Sequence, residues 1–162
     1  MSMFENDQYC WRETYFVLFE AGRRPKLDAL KQHLEKLGNH FTLTNLTADE
    51  TGGVESLTVL APDDFAALDV CYVEGDEVVE QAVALADELE TTDDTDDARA
   101  RRQRIRQLNA RFDVLHFEQV VDFEDEDEAE GMLDPTALLV VLDALAKLTD
   151  GIPVDPQAGT ML

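Results

Sequence analysis

The chain has 162 residues, 44% of them hydrophobic, and sets 36 Asp and Glu against 13 Lys and Arg for a formal net charge of -23. That length fits a single domain burying roughly two thirds of its unfolded surface, and that charge turns most of the surface against nucleic acid and anionic membranes. Two cysteines are too few for a disulfide framework, no run reaches the ~20 apolar residues of a membrane span, and the acidic first residues lack the basic region of a secretory signal, so the expected compartment is the cytoplasm.

Residues 1–11 read as an N-terminal arm ending in Tyr9, Cys10 and Trp11. Tyr15, Phe16, Val17, Leu18 and Phe19 follow, apolar on both faces of an extended chain, which is the pattern of a buried strand over about 13–20. Leu27, Leu30, Leu34 and Leu37 then recur at helical spacing, with Pro25 suited to a first turn and Gly38-Asn39 to a stop, so a helix is predicted over about 25–37. Phe41 to Asn45 alternates with period two, Gly52-Gly53 marks a turn, and Val54 to Leu60 resumes a strand pattern; together they predict a hairpin. A strand over about 67–73 and a helix over roughly 76–90 come next, the helix opening on Asp76 and Glu77 and carrying a stripe of Val78, Ala82, Leu85, Ala86 and Leu89.

Residues 91–110 read as a charged connector: an acidic joint, then Arg99, Arg101, Arg102, Arg104 and Arg106 with only Ile105 and Leu108 as strong apolar residues. At best this is a short helix lying lightly on the body. Another strand is predicted over 111–118, and the acidic residues 122–133 read as a solvated loop. Asp134-Pro135 opens a helix apolar over much of its circumference, which Gly151 stops, and Ile152 to Asp155 reads as a short edge strand because Pro153 and Pro156 exclude a central one. The sum is one α+β domain over 1–162. Its element order suggests a two-layer α/β sandwich with a mixed or mostly antiparallel sheet, ferredoxin-like in its first half with additions, a comparison of order alone that transfers no residue.

No catalytic, cofactor or metal motif is present, and no cofactor is expected. The acidic runs lack the central glycine of a calcium loop, so divalent cations are expected to associate only weakly and without specificity. The polar residues with most chemical capacity on predicted strands are Cys71, Tyr72, His116 and Asp155; Cys71 and His116 would make a nucleophilic pair only if they met in space. Arg101 and Arg104 are the candidates in the arginine stretch, for a phosphate or partner contact or, as the preferred reading, for neutralising acids within the chain, Asp97 among them. Two functions compete. One is a protein-interaction or adaptor domain that binds a protein partner or pairs with itself, and binds neither nucleic acid nor membrane. The other is a small enzyme or small-ligand-binding domain with a site in a groove between sheet and helices.

Overall fold

The computed structural model describes residues 9–37, 41–62, 65–89, 95–119 and 136–162. In chain order they form β1 (Tyr9–Phe19), a single 3-10 turn (Ala21–Arg23), α1 (Leu27–Lys36), β2 (Thr42–Ala48), β3 (Val54–Ala61), β4 (Ala66–Glu74), α2 (Asp76–Leu89), α3 (Asp96–Ile105), β5 (Ala110–Gln119), α4 (Thr136–Thr149), β6 (Ile152–Asp155) and β7 (Thr160–Met161). The strands make one seven-stranded sheet in the order β2-β3-β4-β5-β1-β6-β7. Every pairing in it is antiparallel.

The apolar run in β1 is explained by what covers it. Tyr15, Val17 and Phe19 point to one face, where they join Phe112, Val114, Leu68, Val70 and Val59 beneath Leu30 and Leu34 of α1 and Leu138, Val141, Leu142 and Leu145 of α4. Leu18 points to the other face and packs with Ile152 and Val154 beneath Ala82, Leu85, Ala86 and Leu89 of α2 and Ile105 and Leu108 at the end of α3. A strand buried on both faces cannot alternate, and this one does not.

Helices therefore occupy both faces of the sheet, and β1 has no parallel neighbour, the pairing that a ferredoxin-like unit requires. The two-layer, ferredoxin-like expectation stops at its α+β class. Three local expectations change as well. Tyr9, Cys10 and Trp11 belong to β1, paired with Gln119, Glu118 and Phe117, instead of a loose arm. β6 is not the sheet's edge, because Thr160 and Met161 add β7 outside it. The arginine stretch forms α3, capped by Thr95 accepting from the Ala98 N–H at 3.2 Å, and it is seated firmly: Ile105 is fully buried. The acidic loop 122–133, the cap at Asp134-Pro135 and the stop at Gly38-Asn39 lie outside the described residues. Among those described, no helix is long and apolar enough to cross a membrane.

The loop after β1 is fastened to the β2–β3 turn by Arg24. Its guanidinium donates to Val54 O (2.9 Å), Gly53 O (3.2 Å) and Asp49 Oδ2 (2.7 Å) and lies 4.1 Å over the Tyr72 ring. The other oxygen of Asp49 accepts from the Thr51 hydroxyl and from the N–H groups of Thr51 and Gly53, which together hold its pKa down to about 2. This clasp fixes where the hairpin, and with it one end of the sheet, stands.

Candidate functional site

On the face covered by α2 and α3, the cross-strand register lines side chains up in rows. One row runs Thr44, Thr58, Asp69, Leu115, Thr14; the next runs Thr47, Ser56, Cys71, Asp113, Phe16. The helices lie on this face near β1 and β6, over Leu18, Ile152 and Val154; across β2, β3 and β4 the two rows are polar, and beside them Leu60 and Leu115 pack against the buried Ala67 and Phe117. The polar groups of the two rows converge on β2, β3 and β4.

They surround a hollow of about 390 Å³ lined by Asn45, Leu46, Thr47, Ser56, Leu57, Thr58, Asp69 and Cys71. A bulge in β2 shapes its rim: Asn45 and Leu46 stand together opposite β3 between the pairs Thr44–Thr58 and Thr47–Ser56. Asn45 takes the left-handed conformation (φ 53°), which Asn tolerates better than most residues. The bulge aims its amide inward, so that Asn45 Nδ2 donates to Thr58 Oγ1 (3.3 Å) and Thr58 in turn donates to Asp69 Oδ1 (2.6 Å). Thr58 is 3% exposed, so this short chain is anchored in the sheet. The Thr47 and Ser56 hydroxyls share a hydrogen at 2.5 Å on the rim.

Cys71 is half-buried in the same hollow. Burial raises its thiol pKa first, and the carboxylates of Asp69 and Asp113 raise it further, so it is a neutral thiol and a poor nucleophile at neutral pH. The nearest guanidinium on this face, that of Arg111, is engaged elsewhere: it donates to Asp113 (2.7 Å) and Gln81 and lies 4.3 Å over the Phe16 ring.

The other sequence candidates do not join this hollow. Tyr72 is on the opposite face, under Arg24 and against Phe19 and Phe112, with its hydroxyl donated to Glu74; burial, then that carboxylate, raises its pKa. His116 also faces away, since its cross-strand partner is Leu68 while that of Cys71 is Asp113. A Cys71–His116 pair is thereby ruled out: the sheet stands between them. His116 is 9% exposed, its Nδ1 is buried without a hydrogen bond, and the closest carboxylate oxygen, Glu13 Oε1, is 3.6 Å away. Burial lowers its pKa more than Glu13 raises it. Asp155 caps the turn after β6, accepting from the N–H groups of Gln157 (3.0 Å) and Ala158 (3.1 Å).

The two arginines contact other parts of the fold rather than Asp97. Arg101 donates to Leu162 O (3.0 Å), and Arg104 donates to the carbonyl of Asp150 and lies 3.3 Å from its carboxylate. Among the described residues, no group of three or more His, Cys, Asp or Glu side chains is placed to hold a metal ion.

One further feature stands out at the border of the hollow. β2 is the terminal strand of the sheet, and its sequence from Thr42 to Ala48 contains no charged residue. Compared with known proteins, the chain matches no protein-family model, no curated protein and no solved structure.

Proposed function

We propose that the chain is a non-enzymatic protein-interaction domain that pairs with a second copy of itself along β2. The observation that carries this reading is an uncharged terminal strand in a chain of net charge -23. A terminal strand offers a row of backbone N–H and C=O groups to any chain that can approach, and edges that must stay single usually bear charge or proline. Here the charge stands elsewhere. Residues 1–61, which supply β1, α1, β2 and β3, hold nine Asp and Glu against six Lys and Arg, whereas residues 62–162 hold the other 27 against seven.

A second copy is favoured over a basic partner by that distribution. A strongly cationic partner would be drawn to the acidic part of the chain, not to the uncharged strand β2. Two hairpins meeting across a two-fold axis would keep their acidic parts apart and set α1 beside its own copy. α1 is balanced in charge, with Asp28 and Glu35 against Lys31 and Lys36, whereas α2 carries five acids and no base. Nucleic acid is not expected as a partner, because Arg24, Arg101, Arg104, Arg106 and Arg111 contact groups within the chain. The alternative, a small-ligand-binding domain, draws on the hollow beside β2, whose described lining comes from strands without a helix residue.

Sedimentation velocity over about 1–100 μM protein, in about 0.1 M and about 1 M NaCl, tests the pairing. The expected result is a dimer, strengthened by the higher salt, that Thr42→Lys with Thr44→Lys weakens at least about tenfold by placing like charges across the contact. A monomer at every concentration and salt would overturn the reading, and so would a dimer indifferent to both lysines.

A further inference from the structure

We infer that the hollow over β2, β3 and β4 binds a small primary ammonium ion with a short hydroxylated tail. Its chemistry is acceptor-rich and lacks a cation. Asp69 supplies a half-buried carboxylate; one of its oxygens takes the Thr58 hydroxyl, and none of the described lining residues is basic. A carboxylate withdrawn from water is stabilised by an opposite charge, and no basic side chain of the hollow provides one. Arg111, the guanidinium of the same face, is bound to Asp113 and Gln81.

The shape agrees with that choice. An ammonium group has three donors at tetrahedral angles, and besides Asp69 the lining includes Asn45, Ser56 and Thr47, whose side-chain oxygens are further acceptors. At about 390 Å³ the hollow is at the small end of the roughly 300–1,000 Å³ range of small-molecule sites. The Asn45–Thr58–Asp69 chain fixes the carboxylate before any ligand arrives, so little ordering remains to oppose binding. The neutral thiol of Cys71 sits in the lining as a contact and not as a nucleophile, and the inferred event is reversible binding with no bond made.

Ethanolamine is a suitable probe, followed by amide chemical shifts in a titration at pH 7 and about 1 M NaCl, where attraction to the net charge is screened. Saturable shifts centred on Asn45, Ser56, Thr58, Asp69 and Cys71 are expected, with ethylene glycol inert and Asp69→Asn weakening binding by about ten- to a hundredfold. Shifts that never saturate, an equal response to ethylene glycol, or unchanged affinity in Asp69→Asn would overturn the inference. A second measurement needs no variant: ethanolamine is expected to slow maleimide labelling of Cys71 while leaving exposed Cys10 untouched, read residue by residue by mass spectrometry. Equal labelling of Cys71 with and without ethanolamine would overturn it too.

Discussion

Gly151→Ala should cost about 2 kcal/mol of stability although it adds one methyl group, because the junction between α4 and β6 has no room for it. A Cβ built on Gly151 stands 2.7 Å from the Leu18 carbonyl oxygen, 2.7 Å from Thr149 Oγ1 and 3.0 Å from Val17 Cγ1. Each contact is short by roughly half an ångström or more. Neither oxygen can give way easily. Leu18 is paired on both sides, with Arg111 in β5 and Ile152 in β6, and Thr149 is fully buried with its hydroxyl donated to Leu145 O at 2.7 Å. Overpacking of this kind costs about 1–3 kcal/mol, and the stiffer unfolded chain of an alanine variant recovers only about 0.4–1 kcal/mol. The neighbouring position supplies the control. Asp150 ends the helix in the left-handed conformation (φ 50°), with the Gly151 N–H reaching back to Ala146 O at 2.9 Å. Asp150→Gly relieves about 1 kcal/mol of backbone strain and loses an exposed ion pair with Arg104 worth about 0–1 kcal/mol, so it should stay within about 1 kcal/mol of the parent. Urea unfolding of the three proteins at about 1 M NaCl measures both. A loss below about 0.5 kcal/mol in Gly151→Ala, or a greater loss in Asp150→Gly, would refute the steric argument.

His116 should make the fold sensitive to mild acid. Its folded pKa lies below the ordinary value of 6.5, so its contribution is present above about pH 6.5, where the unfolded imidazole is neutral, and is lost as pH falls toward the lower folded value. The charged groups facing it are Glu13, Arg12 and Glu118; urea midpoints between about pH 5 and 7.5 should fall less in His116→Leu than in the parent, and equal slopes would contradict the assignment. Arg101→Glu with Arg104→Glu should loosen β7 and the α4–β6 junction, seen as faster amide exchange at Thr160–Leu162, with no binding to mixed-sequence nucleic-acid probes before or after. Micromolar binding by the parent in fluorescence anisotropy, abolished in the double variant, would instead make those arginines a phosphate site.

What was legible in the sequence was whatever rests on local periodicity. The helical stripe from Val78 to Leu89 and the run Val70-Cys71-Tyr72-Val73 before Glu74-Gly75 placed α2 and β4 to within a residue or two of their described ends. α3 was harder, since its buried side is made of Ala98, Ile105 and the stem of Arg102, which is 5% exposed and reaches Leu89 O at 3.4 Å. A long charged residue covering apolar surface weakens the stripe on which a helix is recognised. The pairing of β1 with β5 joins segments about a hundred residues apart, and no local pattern encodes it. The hollow was invisible for the same reason. Asp69 and Cys71 could be seen to share a face of β4, but Thr58 and Asn45 meet Asp69 only through two cross-strand registers and a bulge.

The two surfaces proposed for function have a common physical origin. α2 and α3 pack over Leu18, Ile152 and Val154, near β1 and β6, and contribute no residue to the hollow at the other end of the same face. The polar sheet residues that line the hollow are tolerated where they bond one another, as Thr58 and Asp69 do. The outermost strand packs Leu43 and Leu46 against the core of the other face and is otherwise threonine, asparagine and alanine, without a charge. The bulge at Asn45 serves both ends. It interrupts the regular ladder, limiting the run of β2 that another strand can match, and it turns the amide of Asn45 into the hollow. A partner strand would therefore find its regular register beside Thr42–Thr44, and Thr42→Lys alone, outside the Thr44–Thr58–Asp69 row, separates a loss of pairing from a change in the hollow. Substituting Asn45 would disturb pairing and hollow together and could not tell one from the other.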